Sequence, residues 1–356
     1  MSKCGLELEI FLFDKKDHSG FLPLIPDCIG RGINPKLLLY DIADSCQKLK
    51  IKFLKEEVNS IDFKSKQVTT QTNVYNYDFL IIASGSQVNF FSNQAAQDYS
   101  FPLNSVNDVR LISKALCENK FDNFIICGGG YTGIEAATNF WLYFNKQGFF
   151  KRIIIVERSA QILGPLPDWM KAYVEENFKK MGVTILTSSS IEKIQEDTVT
   201  LSTGNVFSNS MLIWVPGVKT ADFIQKLKVD KNPQGRIVVD EYLKINQYCF
   251  VAGDAAFFGK NNNFLRMAVQ FAIIEGEHAA KNIERSIKNL ALKKFSPLDL
   301  GYIIPMANNK SCGRVFGLNV SGFLATLLHF TMCVFRLPGF RNKFGIINNL
   351  IKNPRL

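Results

Sequence analysis

The run from Phe124 to Glu135, FIICGGGYTGIE, brings a short apolar stretch up to Gly128, Gly130 and Gly133 in GxGxxG spacing and then turns helical. Each glycine has its own task. Gly128 permits a tight turn, Gly130 lets backbone approach a pyrophosphate, and Gly133 lets the helix pack on the strand. The phosphates of a dinucleotide would sit on the helix N-terminus, so Tyr131 and Thr132, which open that helix, count with the binding turn. A second strand-like run, RIIIVE, ends on Glu157, 24 residues after Gly133. A carboxylate there accepts hydrogen bonds from the adenine-side ribose hydroxyls and repels a 2′-phosphate, which favours NADH over NADPH. The alternative for the glycines alone is an empty Rossmann-like turn.

Elements that could position such a site follow from size and patterning. With 356 residues, 47% of them hydrophobic, the chain is long enough for two domains with cores of their own. Strand-like runs end at Asp14, at NYDFLIIASGS (Asn76 to Ser86), near Trp214 before Pro216 and Gly217, and at Gly253 and Asp254. Helical spacing is expected around Pro35 to Leu49 and over Val106 to Leu116, Asp168 to Met181 and Leu265 to Leu290. The runs IKFLKEEVNSIDF and KQVTTQTNVY read as hairpins, and Val183 to Leu186 and Thr198 to Leu201 as strands. This alternation makes the fold class α/β.

Cys4, Cys28, Cys46, Cys117, Cys127, Cys249, Cys312 and Cys333 are scattered, with no CxxC pair and no Cys/His grouping of metal-ligand spacing. The expectation is reduced, mostly buried thiols, no metal and a cytosolic compartment. The opening MSKCGLELEIF has no signal-peptide pattern. Net charge is +10, and Lys310, Arg314, Arg336, Arg341, Lys343, Lys352 and Arg355 supply seven positive charges after Gly301, where there is no Asp or Glu. No nucleic-acid partner is expected, because these residues are not interleaved with aromatics on strands. They accompany GFLATLLHFTMCVF, Gly322 to Phe335, which falls short of the roughly 20 apolar residues a membrane-spanning helix needs. Phe323 to Leu337 and Phe344 to Ile351 are expected to lie in a headgroup region, with residues 320–356 meeting an anionic membrane surface. The other reading is a helix pair that covers an internal core or a dimer interface.

Taken in order, FDKKDHSGFLPL, YDFLIIASGS, the Gly128 motif with Glu135, the acid at Glu157, LIWVPGV, FVAGDAA and the apolar, basic tail resemble the type II NADH:quinone oxidoreductases, single-subunit NADH dehydrogenases among the two-dinucleotide flavoproteins. The resemblance implies two Rossmann-like dinucleotide-binding domains of glutathione-reductase type followed by an amphipathic tail. FAD would belong to residues 1–105 and 232–290, NAD(H) to 106–231, and membrane association to 291–356. It implies that Asp14 holds the adenosine ribose of FAD and that the Val58 backbone meets the adenine. Ala83, Ser84 and Gly85 would pass close to the flavin, and Gly253 and Asp254 would hold its pyrophosphate and ribityl chain. Gly217 would let nicotinamide lie near the flavin, with Glu135 close to where the rings stack. For Asp14 and Asp254 the alternative is a strand-end turn former, and for Glu135 a first-turn acid stabilised by the helix dipole. In RMAVQFAIIEG, Gln270 matches the first glutamine of the family's quinone site, while Val269 and Ile274 depart from its alanine and second glutamine. Gln270 could also be a satisfied core polar group.

The activity implied is hydride transfer from NADH to FAD and electron transfer onward to a membrane quinone, without proton pumping, at the cytoplasmic face of the inner (plasma) membrane, with a homodimer as a further option. The family opens with another strand and GxGxxG for FAD. Gly5, Gly20, Gly30 and Gly32 lack that spacing, so Met1 is expected to be an internal methionine of a longer coding sequence. Two alternatives stand beside this reading. One is a sulfide:quinone oxidoreductase, which needs two cysteines near the flavin. The other is a non-catalytic NAD-binding protein.

Overall fold

The computed structural model describes residues 8–260 and 263–352. Cys4, Gly5 and Arg355, and the expectation placed on Met1, therefore lie outside the described residues. The chain divides into two compact units. The first comprises the described residues through Ser19, Asp41–Gln87 and Val218–Leu298; the second comprises Gly20–Tyr40, Val88–Gly217 and 299–352.

The second unit is built on a five-stranded parallel sheet. From edge to edge its strands are Phe101–Pro102, Ser210–Trp214, Asn123–Cys127, Arg152–Val156 and Thr184–Leu186. Central strands that are covered on both faces read as unbroken apolar runs, and FIIC, RIIIV and SMLIW are such runs. Their alternate side chains enter different cores. Phe124, Ile126, Ile153, Ile155, Met211 and Ile213 pack under helices Val106–Glu118, Tyr131–Gln147 and Asp168–Met181. Ile125, Ile154, Val156, Leu212 and Trp214 meet an antiparallel sheet of Ile191–Ile194, Val199–Leu201 and Val206–Phe207. Each fully buried aliphatic side chain contributes about 1.5–3 kcal/mol, so both faces of this sheet are strongly fixed.

The C-terminal stretch belongs to this unit. It opens with an antiparallel sheet that the sequence did not suggest, Gly301–Ile304, Cys312–Val315 and Leu318–Ser321, followed by helices Gly322–Arg336 and Phe340–Lys352. Ile304, Cys312, Phe330, Cys333, Leu337 and Ile346 enter the main core.

In the first unit, strands Leu80–Ile82 and Cys249–Val251 pair in parallel. Phe250 and Ile81 point to helix Val269–Ile287, while Ile82, Cys249 and Val251 pack against Ile224, Leu227 and Ile237. Phe11–Phe13 pairs in parallel with Lys52–Leu54, and Val58–Asp62, Gln67–Thr70 and Val74–Asn76 form an antiparallel sheet. Two helix expectations need correction. Pro35 to Leu49 is a 3-10 turn at Pro35–Leu38, a strand at Leu39–Asp41 and a helix at Ile42–Lys48, because Asp41 caps the last by accepting from the Asp44 amide. The helix expected from Leu265 begins only at Val269.

Candidate functional site

The Asn123–Cys127 strand delivers the chain to Gly128 beside the end of strand Ser210–Trp214. Gly128 has φ of +113°, and a Cβ added there would lie 2.8 Å from the Val215 carbonyl oxygen and 2.9 Å from Pro216 Cα. Both the turn and its neighbour therefore require glycine. At Gly133 an added Cβ would lie 1.9 Å from the Gly128 carbonyl oxygen, so the absent side chain is what closes helix onto strand. Gly130 differs from both, since its added Cβ would meet nothing within 4 Å. The protein itself makes no use of this missing side chain; it leaves the approach to helix Tyr131–Gln147 open. That helix begins with no side-chain cap and no acidic residue in its first turn, and Tyr131 and Thr132 open it. Its partially positive end suits a phosphate.

Glu157 follows the adjacent strand Arg152–Val156. Its Oε2 accepts from the Gly129 amide at 2.8 Å and its Oε1 from the Ser159 amide at 2.7 Å. These bonds fix the carboxylate beside the turn, and with about four acceptor positions it keeps capacity for ribose hydroxyls. Gly217 lies beyond strand Ser210–Trp214, and its carbonyl accepts from the Asn89 amide at 3.1 Å. Its φ is not positive, and an added Cβ would touch only the Phe91 ring at 3.6 Å. Glycine at 217 is thus not demanded by the backbone.

In the first unit the paired strands Leu80–Ile82 and Cys249–Val251 carry two turns side by side, Ala83, Ser84 and Gly85 on one and Gly253 and Asp254 on the other. Gly85 and Gly253 have φ of +65° and +69°. Ser86 Oγ donates to Asp254 Oδ2 at 2.7 Å, which joins the turns. Behind them Gly253 packs on the first turns of helix Val269–Ile287, with an added Cβ 3.4 Å from Ala272 Cβ. Gln270 is buried in that first turn. Asp14 follows its parallel strand, and its Oδ1 accepts from the Lys16 amide at 2.8 Å. Val58 begins an antiparallel strand. Neither belongs to the sheet that carries the Ala83 and Gly253 turns.

Glu135 lies beyond the first helical turn, so the dipole-stabilised alternative does not hold. The half-buried side chain has neighbours that the sequence did not reveal. Helix Asp27–Gly30 packs so closely on helix Tyr131–Gln147 that a Cβ at Gly30 would lie 2.5 Å from the Asn139 carbonyl oxygen. Asn139 is one turn beyond Glu135, and its Nδ2 donates to the Glu135 carbonyl at 3.0 Å. Asp27 and Arg31 are both buried and paired, Nε to Oδ1, at 3.0 Å. Arg31 also donates to Asn309 Oδ1 at 2.8 Å and lies 4.9 Å above the Phe330 ring. Burial holds the Glu135 carboxyl well above the usual carboxylate range, and the nearby Asp27 carboxylate adds to this. Burial likewise pushes Asp27 up to about 6 against the pull of Arg31. His329 is lowered to about 4 by burial and then by the Arg31 charge. The arrangement disfavours the ionised form of the Glu135 carboxyl beside the glycine turn.

Among the described residues no group of three or more potential ligands could hold a metal. The seven described cysteines are free thiols. Burial pushes Cys127 and Cys312 up to about 12 and Cys333 higher still.

The fold and the glycine turn are those of a dinucleotide-dependent oxidoreductase. The chain belongs to the pyridine nucleotide-disulphide oxidoreductase family, whose sequence profile matches residues 3–279. It is 24% identical over 363 residues to the type II NADH:quinone oxidoreductase of Staphylococcus saprophyticus, covering 94% of this chain and 90% of that protein. The Staphylococcus haemolyticus protein of the same name is 25% identical over 369 residues, with the same coverage. Among solved structures, NDH2 from Plasmodium falciparum in complex with NADH superposes with a TM-score of 0.80 at 16% identity, over 97% of this chain and 93% of that one. The sulfide:quinone oxidoreductase of Aquifex aeolicus reaches 0.78 at 18% identity, over 95% and 86%. These structures share the fold.

Proposed function

We propose that the chain is an FAD-dependent NADH:quinone oxidoreductase. The observation that carries this reading is a pair of nucleotide turns, one in each unit. Gly128 to Gly133 with Glu157 suits NADH, and Ala83 to Gly85 with Gly253 and Asp254 suits FAD. The donor sets fit: an uncapped helix N-terminus and an open Gly130 for a pyrophosphate, and carboxylates at Glu157 and Asp254 for sugar hydroxyls. The names of the Staphylococcus relatives support the same reaction.

When bound, FAD would accept hydride from NADH and pass two electrons to a quinone. The protein's own part is binding, orientation and proton management. Glu157 selects the unphosphorylated ribose by charge, Asp14 and Val58 serve the adenosine end of FAD, and Gly217 keeps its turn free of a side chain. Gln270 positions quinone at the start of its helix. Glu135, whose ionised form burial and Asp27 disfavour, is the carboxyl suited to carry a proton beside the nicotinamide side.

The tail helices would seat the protein on an anionic membrane surface at the cytoplasmic face. Helix Gly322–Arg336 is apolar on two sides: Ala325, Phe330 and Cys333 enter the core, while Phe323, Leu324, Leu327 and Phe335 face outward. Phe340, 92% exposed, and Phe344 continue the outward face beside Arg341 and Lys343. No described helix is long and apolar enough to cross a membrane, which fits an interfacial seat. The sulfide:quinone alternative is disfavoured, because Cys127, Cys312 and Cys333 are held as thiols and the nucleophile of persulfide chemistry is a thiolate. Flavin-loaded protein that oxidises NADH only when a quinone is present is the expected result; sulfide-dependent reduction in place of it would favour the alternative.

A further inference from the structure

We infer that Glu275 links FAD binding to proton uptake: the carboxyl beneath the Gly253 turn must be neutral when the FAD pyrophosphate is seated. This rests on the FAD reading above. Glu275 is 1% exposed, and its Oε2 accepts from the Gly253 amide at 2.6 Å. The turn it supports is the one assigned to the pyrophosphate, and the next residue is Asp254. Among the described residues, Arg236, 2% exposed, acts on both carboxylates; it donates to the Leu265 carbonyl at 3.1 Å, and its buried Nε has no hydrogen-bond partner among them.

The charge count decides the outcome. Among the described residues, buried Glu275 and half-buried Asp254 against the Arg236 guanidinium leave a net negative charge at the turn, and a pyrophosphate adds about two more. Neutralising Glu275 removes one of them without loss of structure, because a protonated carboxyl still accepts from the Gly253 amide. Asp254 accepts from Ser86 and is the acceptor assigned to the ribityl hydroxyls. Burial already raises Glu275 to about 7; Asp254 adds to this, while the Gly253 amide and Arg236 oppose it. Of the other titratable groups on and against its helix, Arg266 lies over the Phe271 ring at 5.1 Å. Glu277 pairs with Lys281, His278 bonds Asn282, and Cys249 is a buried thiol.

Equilibrium dialysis of the FAD-loaded full chain across pH tests this. Retention of FAD should weaken above about pH 7, approaching tenfold per pH unit, and adding FAD to the stripped protein at that pH should take up close to one proton, read with an indicator dye. Glu275→Gln, which keeps the acceptor and cannot ionise, should retain FAD independently of pH and release no dye signal. A flat profile for the unmodified protein, no proton uptake, or a variant that still follows pH would overturn the inference. Absence of flavin binding at every pH would overturn the FAD reading and this inference together.

Discussion

Three carboxylates near the nucleotide turns do different work because their surroundings differ. Glu157 is held by two backbone amides at 2.8 and 2.7 Å, Glu135 is half-buried beside another acid, and Glu275 supports a turn from below. Replacing Glu157 by Gln removes the charge and one of these acceptors; a charge-assisted hydrogen bond is worth about 1.5–3 kcal/mol, so NADH should bind roughly tenfold to a hundredfold more weakly while discrimination against NADPH relaxes. Titration of both nucleotides by intrinsic fluorescence checks this. At Asp27 and Arg31 the concern is stability, since breaking a buried pair leaves an uncompensated charge. Arg31→Met should cost about 3–5 kcal/mol, and Asp27→Asn in the same chain should restore part of the loss. Denaturant melts of the two single variants and the double variant decide it; additive losses would contradict the pairing. The raised carboxyls also fix a sign for pH. Glu275 rises from 4.5 to about 7, so the folded state holds a proton that the unfolded chain releases. Its contribution is present below pH 4.5 and is lost as pH rises through about 7. In protein stripped of flavin, Glu275→Gln should therefore melt higher than the unmodified chain at pH 8, with little difference in acid.

At the scale of elements, the glycine turn separates fold from binding. Gly133→Ala would place a Cβ 1.9 Å from a carbonyl oxygen and should prevent the helix from seating, with loss of cooperative unfolding. Gly130→Ala meets only open space, so its melting temperature should stay unchanged while NADH affinity falls at least about tenfold. Equal damage from both substitutions would mean that Gly130 serves packing and not a ligand. The turn was legible because its function rests on local spacing, and helix Asp168–Met181 because its period is regular. The acid cluster was not legible. Asp27 and Arg31 show i,i+4 spacing, but their approach to Glu135 depends on Gly30 packing at Asn139, more than a hundred residues away in sequence. Glu275 likewise sits in a helical run and acquires meaning only through its bond to Gly253. The sheet over Gly301–Ser321 escaped notice because its strands have four residues each, too few for a period to emerge. The tail helices offered two readings, a seat in a headgroup region or cover for a core or dimer interface; one side of Gly322–Arg336 enters the core, and the other carries exposed Phe323, Leu324, Leu327 and Phe335. Phe335→Asp with Phe344→Asp, both on exposed positions, should leave the melt intact and abolish co-sedimentation with anionic vesicles.

For the whole molecule, the proposed function gives one nucleotide to each unit and passes electrons from NADH through flavin to quinone. The family match covers residues 3–279, and the proposed membrane seat lies in the tail beyond that range. The most direct measurement is a steady-state assay of the flavin-loaded full chain with NADH and a short-chain quinone, followed at the nicotinamide absorbance band. Quinone-dependent NADH oxidation that NADPH does not support is the expected result. Protein that holds flavin and NADH yet reduces no quinone would contradict it.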